Sequence, residues 1–186
     1  MQVKKLLAVV IGAGAISAQA STFDGSLSNQ SVKVDVSIDR KTYFLDTGAM
    51  YHTDDGRYGY IGAHIEDTET SKDYPLQIGL AGRLIVVDGE YSDDDEGFAV
   101  ALGGFYRYTF PKANRFSLYA SAYYAPEVLS FTNVDYLYQG EIRGEYRTLR
   151  NARVFVRYGQ TGVKFTSFED VAEMNSEVAL GVVATF

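Results

Sequence analysis

One run of residues, Val134 to Arg147, constrains this chain more than any other. Val134, Tyr136, Tyr138, Gly140, Ile142, Gly144 and Tyr146 alternate with Asp135, Leu137, Gln139, Glu141, Arg143, Glu145 and Arg147. Successive side chains of a β-strand leave on opposite faces, so the run carries one apolar face with tyrosines towards both ends and one charged face. Acids and bases on the second face can pair across neighbouring strands. Apolar residues outside and polar residues inside are the pattern of a strand in a membrane-spanning barrel.

The same period of two recurs along the chain with turn residues between the segments, as in an antiparallel meander. It predicts strands over 31–38, 43–52, 58–66, 76–87, 98–110, 116–125, 134–148, 152–164 and 177–186. Pro111–Asn114 and Leu149–Asn151 read as short turns, whereas 88–97, 126–133 and 166–175 read as longer loops. No helical periodicity is long enough to compete. Nine strands do not suit a bacterial outer-membrane barrel, which has an even number with both termini in the periplasm. A short strand at Thr22–Leu27 makes ten, whereas treating the segment before Lys41 as an extension leaves eight; ten is preferred. The long polar connection 66–75 falls on the periplasmic side, where this class has short turns, so the register is least secure there. The expected fold is all-β, an antiparallel up-and-down transmembrane β-barrel of 8 or 10 strands.

The N-terminus supports export. Lys4 and Lys5 precede an uncharged apolar run from Leu6 to Ile16, and Ala18-Gln19-Ala20 follows as a small-residue cleavage site. The apolar run is well short of the roughly 20 residues a membrane-spanning helix needs. The expected organisation is a signal peptide over 1–20, cleaved after Ala20 with Ala18 at the other small position, and an outer-membrane barrel over 21–186. Cleavage removes two lysines and no acid, which moves the net charge from −7 to −9. Such an acidic chain is a poor partner for nucleic acid. The absence of cysteine excludes disulfides and thiolate metal sites. Eighteen glycines and fifteen tyrosines suit β-structure with many turns. Gly79, Gly82, Gly103, Gly104, Gly140, Gly144 and Gly181 form no phosphate loop; glycine inside strands suits bends and close backbone approach.

The chain ends with Val178, Leu180, Val182, Ala184 and Phe186 on one face. This looks like the closing-strand signal that the barrel-assembly machinery recognises in outer-membrane proteins. The segment YAPEVLSF from Tyr124, the run YLYQGEIRGEYRTLRNARVFVRYG from Tyr136 to Gly159, the leader, the length and the closing strand together resemble the YfaZ family of outer-membrane proteins. The match is most specific over 124–186 and weak before residue 98. The resemblance implies fold and location and carries no catalytic or binding residue with it.

Three groups of residues are candidates for chemistry. His52 and His64 take the interior phase with Asp46 and Glu66, which would suit a small His/carboxylate site near one barrel mouth. A satisfied interior histidine is the competing reading, since no nucleophile stands at recognisable spacing. Asp93, Asp94, Asp95 and Glu96 form the densest acidic run and are weak surface candidates for Ca²⁺ or Mg²⁺, although their spacing fails the calcium-loop pattern. Arg107, Glu141, Arg143, Glu145, Arg147, Arg153 and Arg157 fall on interior faces. They are expected to form either a packed salt-bridge plug or the lining of a narrow path for small anions.

The leading expectation is an outer-membrane protein with a structural or interaction role and a plugged interior, carrying no cofactor and no enzymatic activity. Its expected partners are outer-membrane lipid, lipopolysaccharide and, during insertion, the barrel-assembly machinery, with the protein a monomer. The alternatives are an anion-leaning, porin-like pore, a membrane-embedded lipid-modifying enzyme, and a soluble periplasmic binding protein of lipocalin type, whose apolar face would point inward.

Overall fold

The computed structural model describes residues 21–70, 75–89, 96–167 and 169–186. The leader, with Ala18 and Ala20, and the loop residues Asp93, Asp94 and Asp95 lie outside the described residues; Glu96 is the first residue of a strand and is exposed.

Among the described residues eleven strands form one sheet: β1 (Ser21–Leu27), β2 (Ser31–Asp39), β3 (Phe44–His52), β4 (Gly56–Thr70), β5 (Pro75–Gly89), β6 (Glu96–Thr109), β7 (Phe116–Ala125), β8 (Ser130–Thr132), β9 (Val134–Leu149), β10 (Ala152–Phe165) and β11 (Ala172–Thr185). Ten of them close into a barrel in which every wall strand pairs antiparallel with its neighbours, β9 following β7 directly. Closure is made between the first and last strands, from Thr22 opposite Thr185 to Leu27 opposite Leu180. Ten strands is the preferred count of the two, and β1 is the segment that supplies the tenth.

Several boundaries differ from those the sequence predicts. β4 runs to Thr70 and β5 begins at Pro75, with Thr68, Glu69 and Thr70 opposite Gln77, Leu76 and Pro75. The awkward connection 66–75 is therefore mostly strand, and only 71–74 link the pair. The last strand begins at Ala172 rather than 177, because Ala172 and Glu173 still pair with Val163 and Gly162 after a bulge. The predicted loop 126–133 contains β8, whose Ser130, Phe131 and Thr132 pair with Ala99, Phe98 and Gly97. β7 pairs β6 only as far as Tyr124 opposite Leu102, and β8 occupies the edge beyond. An uncovered edge is a liability in any sheet.

The outer wall is apolar. Ile61, Leu80, Leu102, Ile142, Val156 and Leu180 are all exposed on it. Aromatic pairs bracket this band. Phe116 meets Tyr146 at 4.8 Å at the end that holds both termini, and Phe98 stacks on Phe131 at 5.0 Å at the far end. Val178, Leu180, Val182 and Phe186 of the closing strand lie exposed on the same surface. Glu141, Arg143, Glu145 and Arg157 face the lumen and are buried. This distribution overturns the lipocalin-type alternative, in which the apolar face would line the interior.

The wall is uneven in height. β1 stops at Leu27 while β11 continues to Ala172, so the barrel is lower on the β1–β2 side. The turn there is fixed by Ser28, whose Oγ accepts the backbone N–H groups of Gln30 at 3.0 Å and Ser31 at 2.8 Å. Ser28 and Ser31 in turn donate their hydroxyls to the carboxylate of Glu177 on β11, which seals the step.

Leu180→Arg, placed in the middle of the outward face, should cost about 2–4 kcal/mol of unfolding free energy in a bilayer, whereas Val128→Arg on the far-end loop should cost at most about 1. Denaturant titration of the two variants in lipid vesicles checks the contrast.

Candidate functional site

The lumen is filled in two layers. At the far end, inward residues near the strand tips make an apolar layer that includes Met50, Ile85, Leu137, Val163, Phe165 and Met174, each 2% exposed or less. Val134 joins it, contrary to its expected outward phase. Lys164 pairs with Tyr136 but Phe165 pairs with Val134, so the chain slips past Asp135 and turns Val134 inward.

Below that layer lies an ion-pair network built on β9. Glu145, fully buried, accepts from Arg107 Nε at 3.0 Å and lies 3.9 Å from Arg153 Nε. Arg107 also donates to the side-chain oxygen of Gln77. Arg143 pairs with Glu141 on its own strand and with Asp24 of β1. Glu141 reaches across the lumen to Lys33 Nζ of β2 at 2.9 Å, and Lys33 is 3.2 Å from Asp35. Arg157 donates from Nε to Ser26 Oγ at 2.9 Å and holds Nη1 3.9 Å from Glu141. Arg147 is half-buried and has no ion-pair partner among the described residues.

Aromatic rings cover buried guanidinium groups as well, whether or not a carboxylate pairs with them. Arg83 lies over Tyr60 at 4.2 Å and Tyr123 at 3.7 Å, and Arg143 lies over Tyr119 at 4.9 Å and Phe155 at 4.4 Å. Such contacts offset part of the desolvation of a guanidinium. Two glycines make room for the polar contacts. On β3, a Cβ at Gly48 would collide with Asp35 Oδ1 and the Tyr60 ring, so the missing side chain lets Tyr60 donate to Asp35 at 2.6 Å over the intervening strand. A Cβ at Gly159 would strike Arg157 Nη1.

The sequence places Arg107, Glu141, Arg143, Glu145, Arg153 and Arg157 on interior faces, and the structure brings them together with Asp24, Lys33, Asp35 and Arg83. Those four were not read from the sequence. Their only sequence signal is an inward phase on β1, β2 and β5, and nothing in the linear order marks a partner more than a hundred residues away.

The two histidines are not brought together. His64 Nδ1 lies 2.6 Å from Asp46 Oδ2 and its Nε2 lies 3.7 Å from Glu66, with the ring stacked on Phe44 at 4.5 Å. His52 sits at the opposite end of the same hairpin, since His52 pairs with Gly56 and Phe44 with His64. Its Nδ1 faces the backbone N–H groups of Asp54 and Asp55 at 3.3 and 3.2 Å. Among the described residues neither histidine is hydrogen-bonded to a hydroxyl, and no group of three or more His, Asp or Glu side chains is arranged to hold a metal ion.

A closed antiparallel barrel with an apolar band between aromatic girdles and a polar, ion-paired interior is an outer-membrane β-barrel. Within that class the chain belongs to the YfaZ family: the family described as YfaZ precursor matches residues 2–182. No curated protein matches the sequence. Among solved structures, the outer-membrane expressed OmpT of Vibrio cholerae is similar, with 14% identity and a TM-score of 0.36. The match covers 84% of this chain and 56% of that one, so the chain spans little more than half that structure's length.

Removing one partner from a buried pair leaves the other charge uncompensated. Glu145→Leu, which strands Arg107 and Arg153, should therefore destabilise the barrel by about 3–5 kcal/mol. Arg57→Ala breaks a pair with Asp88 in which the Arg57 side chain is 65% exposed, and should cost at most about 1 kcal/mol. Thermal loss of the compact band on unboiled gels ranks the two.

Proposed function

We propose that this outer-membrane protein acts as a structural or interaction barrel with a closed interior. The observation that carries the reading is the two-layer filling of the lumen. The apolar layer packs buried side chains such as Met50, Leu137 and Phe165 beneath the outer mouth, and ion pairs reach across the lumen below it. A porin-type path needs a continuous polar lining. The cavity within the network has about 20 Å³ of room for water, which is the scale of one molecule rather than of a channel.

On this reading the outward band of β11, ending at Phe186, is the surface the barrel-assembly machinery reads during insertion, and lipid and lipopolysaccharide surround the finished wall. The signal peptide is removed after Ala20, and the barrel works as a monomer through the loops at its outer end. His64 and Asp46 serve as interior packing without catalytic chemistry, a reading supported by the absence, among the described residues, of a hydroxyl hydrogen-bonded to His64.

Purified barrel reconstituted in planar bilayers should give no steady conductance steps. Steady, anion-selective steps would establish the pore reading instead. Cells carrying His52→Ala and His64→Ala together should keep unaltered lipid A and phospholipid profiles, and a changed profile would restore the enzyme reading.

A further inference from the structure

The ion-pair network leaves two of its cations poorly served. Arg157 is 1% exposed, and while Nε and Nη1 face Ser26 and Glu141, Nη2 donates to no described group. Arg83 pairs with no carboxylate among the described residues and is held between two tyrosine rings, with its buried Nε also lacking an acceptor. Both arginines line the small cavity named above. Gln139 lines it too, and its Nε2 is a third buried donor without a partner. Buried donors are rarely left unmade in folded proteins, so three around one cavity point to something bound there.

Charge decides what that is. Lys33, Arg83 and Arg157 line the cavity, and Glu141 is the sole carboxylate among its lining residues. Glu141 is shared by Lys33, Arg143 and Arg157, while Asp35 pairs with Lys33 and Asp24 with Arg143, so among the described residues four cations meet three carboxylates and Arg83 is left without one. A water molecule would accept from two donors yet supply no charge to a site with an excess of buried cations. An anion supplies both. Asn175 Oδ1 also lines the cavity without a partner, and a half-turn of its amide presents the NH₂ group instead.

We propose that this cavity holds one small monovalent anion, chloride in ordinary media, bound by Arg157 Nη2, Gln139 Nε2 and Arg83 Nε. The ion is a resident part of the closed interior. The inference rests on that closed reading, and the two fail differently: conductance would overturn the reading, whereas the tests below address the ion itself.

The folded barrel is crystallised from sodium bromide and its anomalous scattering is measured at the bromine edge. The expected result is a peak among Arg83, Gln139 and Arg157. In parallel, the temperature at which the compact band is lost is measured at equal ionic strength in sodium bromide, sodium chloride or sodium gluconate. It should be higher in either halide and should rise with halide concentration. Gln139→Leu and Arg157→Gln should each lose that dependence, and if either fails to fold the wild-type measurements still decide. Absence of both effects means that the cavity holds water and sinks the inference. So does a halide effect without a peak in the cavity, or a peak without a halide effect, which marks an adventitious ion only.

Discussion

The hydrocarbon core of a bilayer offers a peptide group no hydrogen-bond partner, and the rest of this structure depends on that constraint. A sheet can cross such a medium only if it has no edge, so the first strand must meet the last. The pairing of β1 with β11 meets this requirement, and its consequences run inward. Once the wall is closed and its outer face is given to lipid, every alternate side chain is committed to a lumen that ten strands make narrow. Polar residues placed there must find partners among themselves. The network around Glu141, Arg143 and Glu145 is the solution this sequence reaches, with the apolar layer of Met50, Leu137 and Phe165 capping it.

Much of the wall was legible in the sequence because lipid imposes a simple rule on it. Tyr138, Ile142 and Tyr146 alternate with Glu141, Arg143 and Glu145 without interruption, and the structure keeps that phase. Legibility fails where another demand overrides alternation. Near the far end the lumen itself is apolar, so Leu137 and Val163 are inward without being polar, and the bulge at Asp135 carries Val134 inside. The polar stretch after Glu66 reads as a loop but continues as strand, because Thr68 to Thr70 find partners on β5.

The interior site was half legible for a different reason. Phase alone assigns a residue to the lumen, so Arg107, Arg153 and Arg157 could be placed there, but phase does not say which strand lies opposite. Asp24 and Lys33 meet Arg143 and Glu141 only because the barrel closes. Glycines add to the difficulty. Gly48 and Gly159 matter for what they omit, and a missing side chain carries no sign of the phenol or guanidinium that will occupy its place.

One consequence of the cross-lumen pairs concerns how the barrel comes to exist. Arg143 and Asp24 are 119 residues apart, Lys33 and Glu141 are 108 apart, and Arg157 and Ser26 are 131 apart. Contacts of such long sequence separation contribute nothing until most of the loop-closure entropy has been spent. An open sheet in which β1 has not yet met β11 would hold Arg143 and Glu141 apart from Asp24 on β1 and Lys33 on β2, and so would gain little from the polar interior. Closure of β1 against β11 brings the missing partners together at one stroke. The interior thus acts as a latch on completion, and makes the half-assembled barrel a poor resting state.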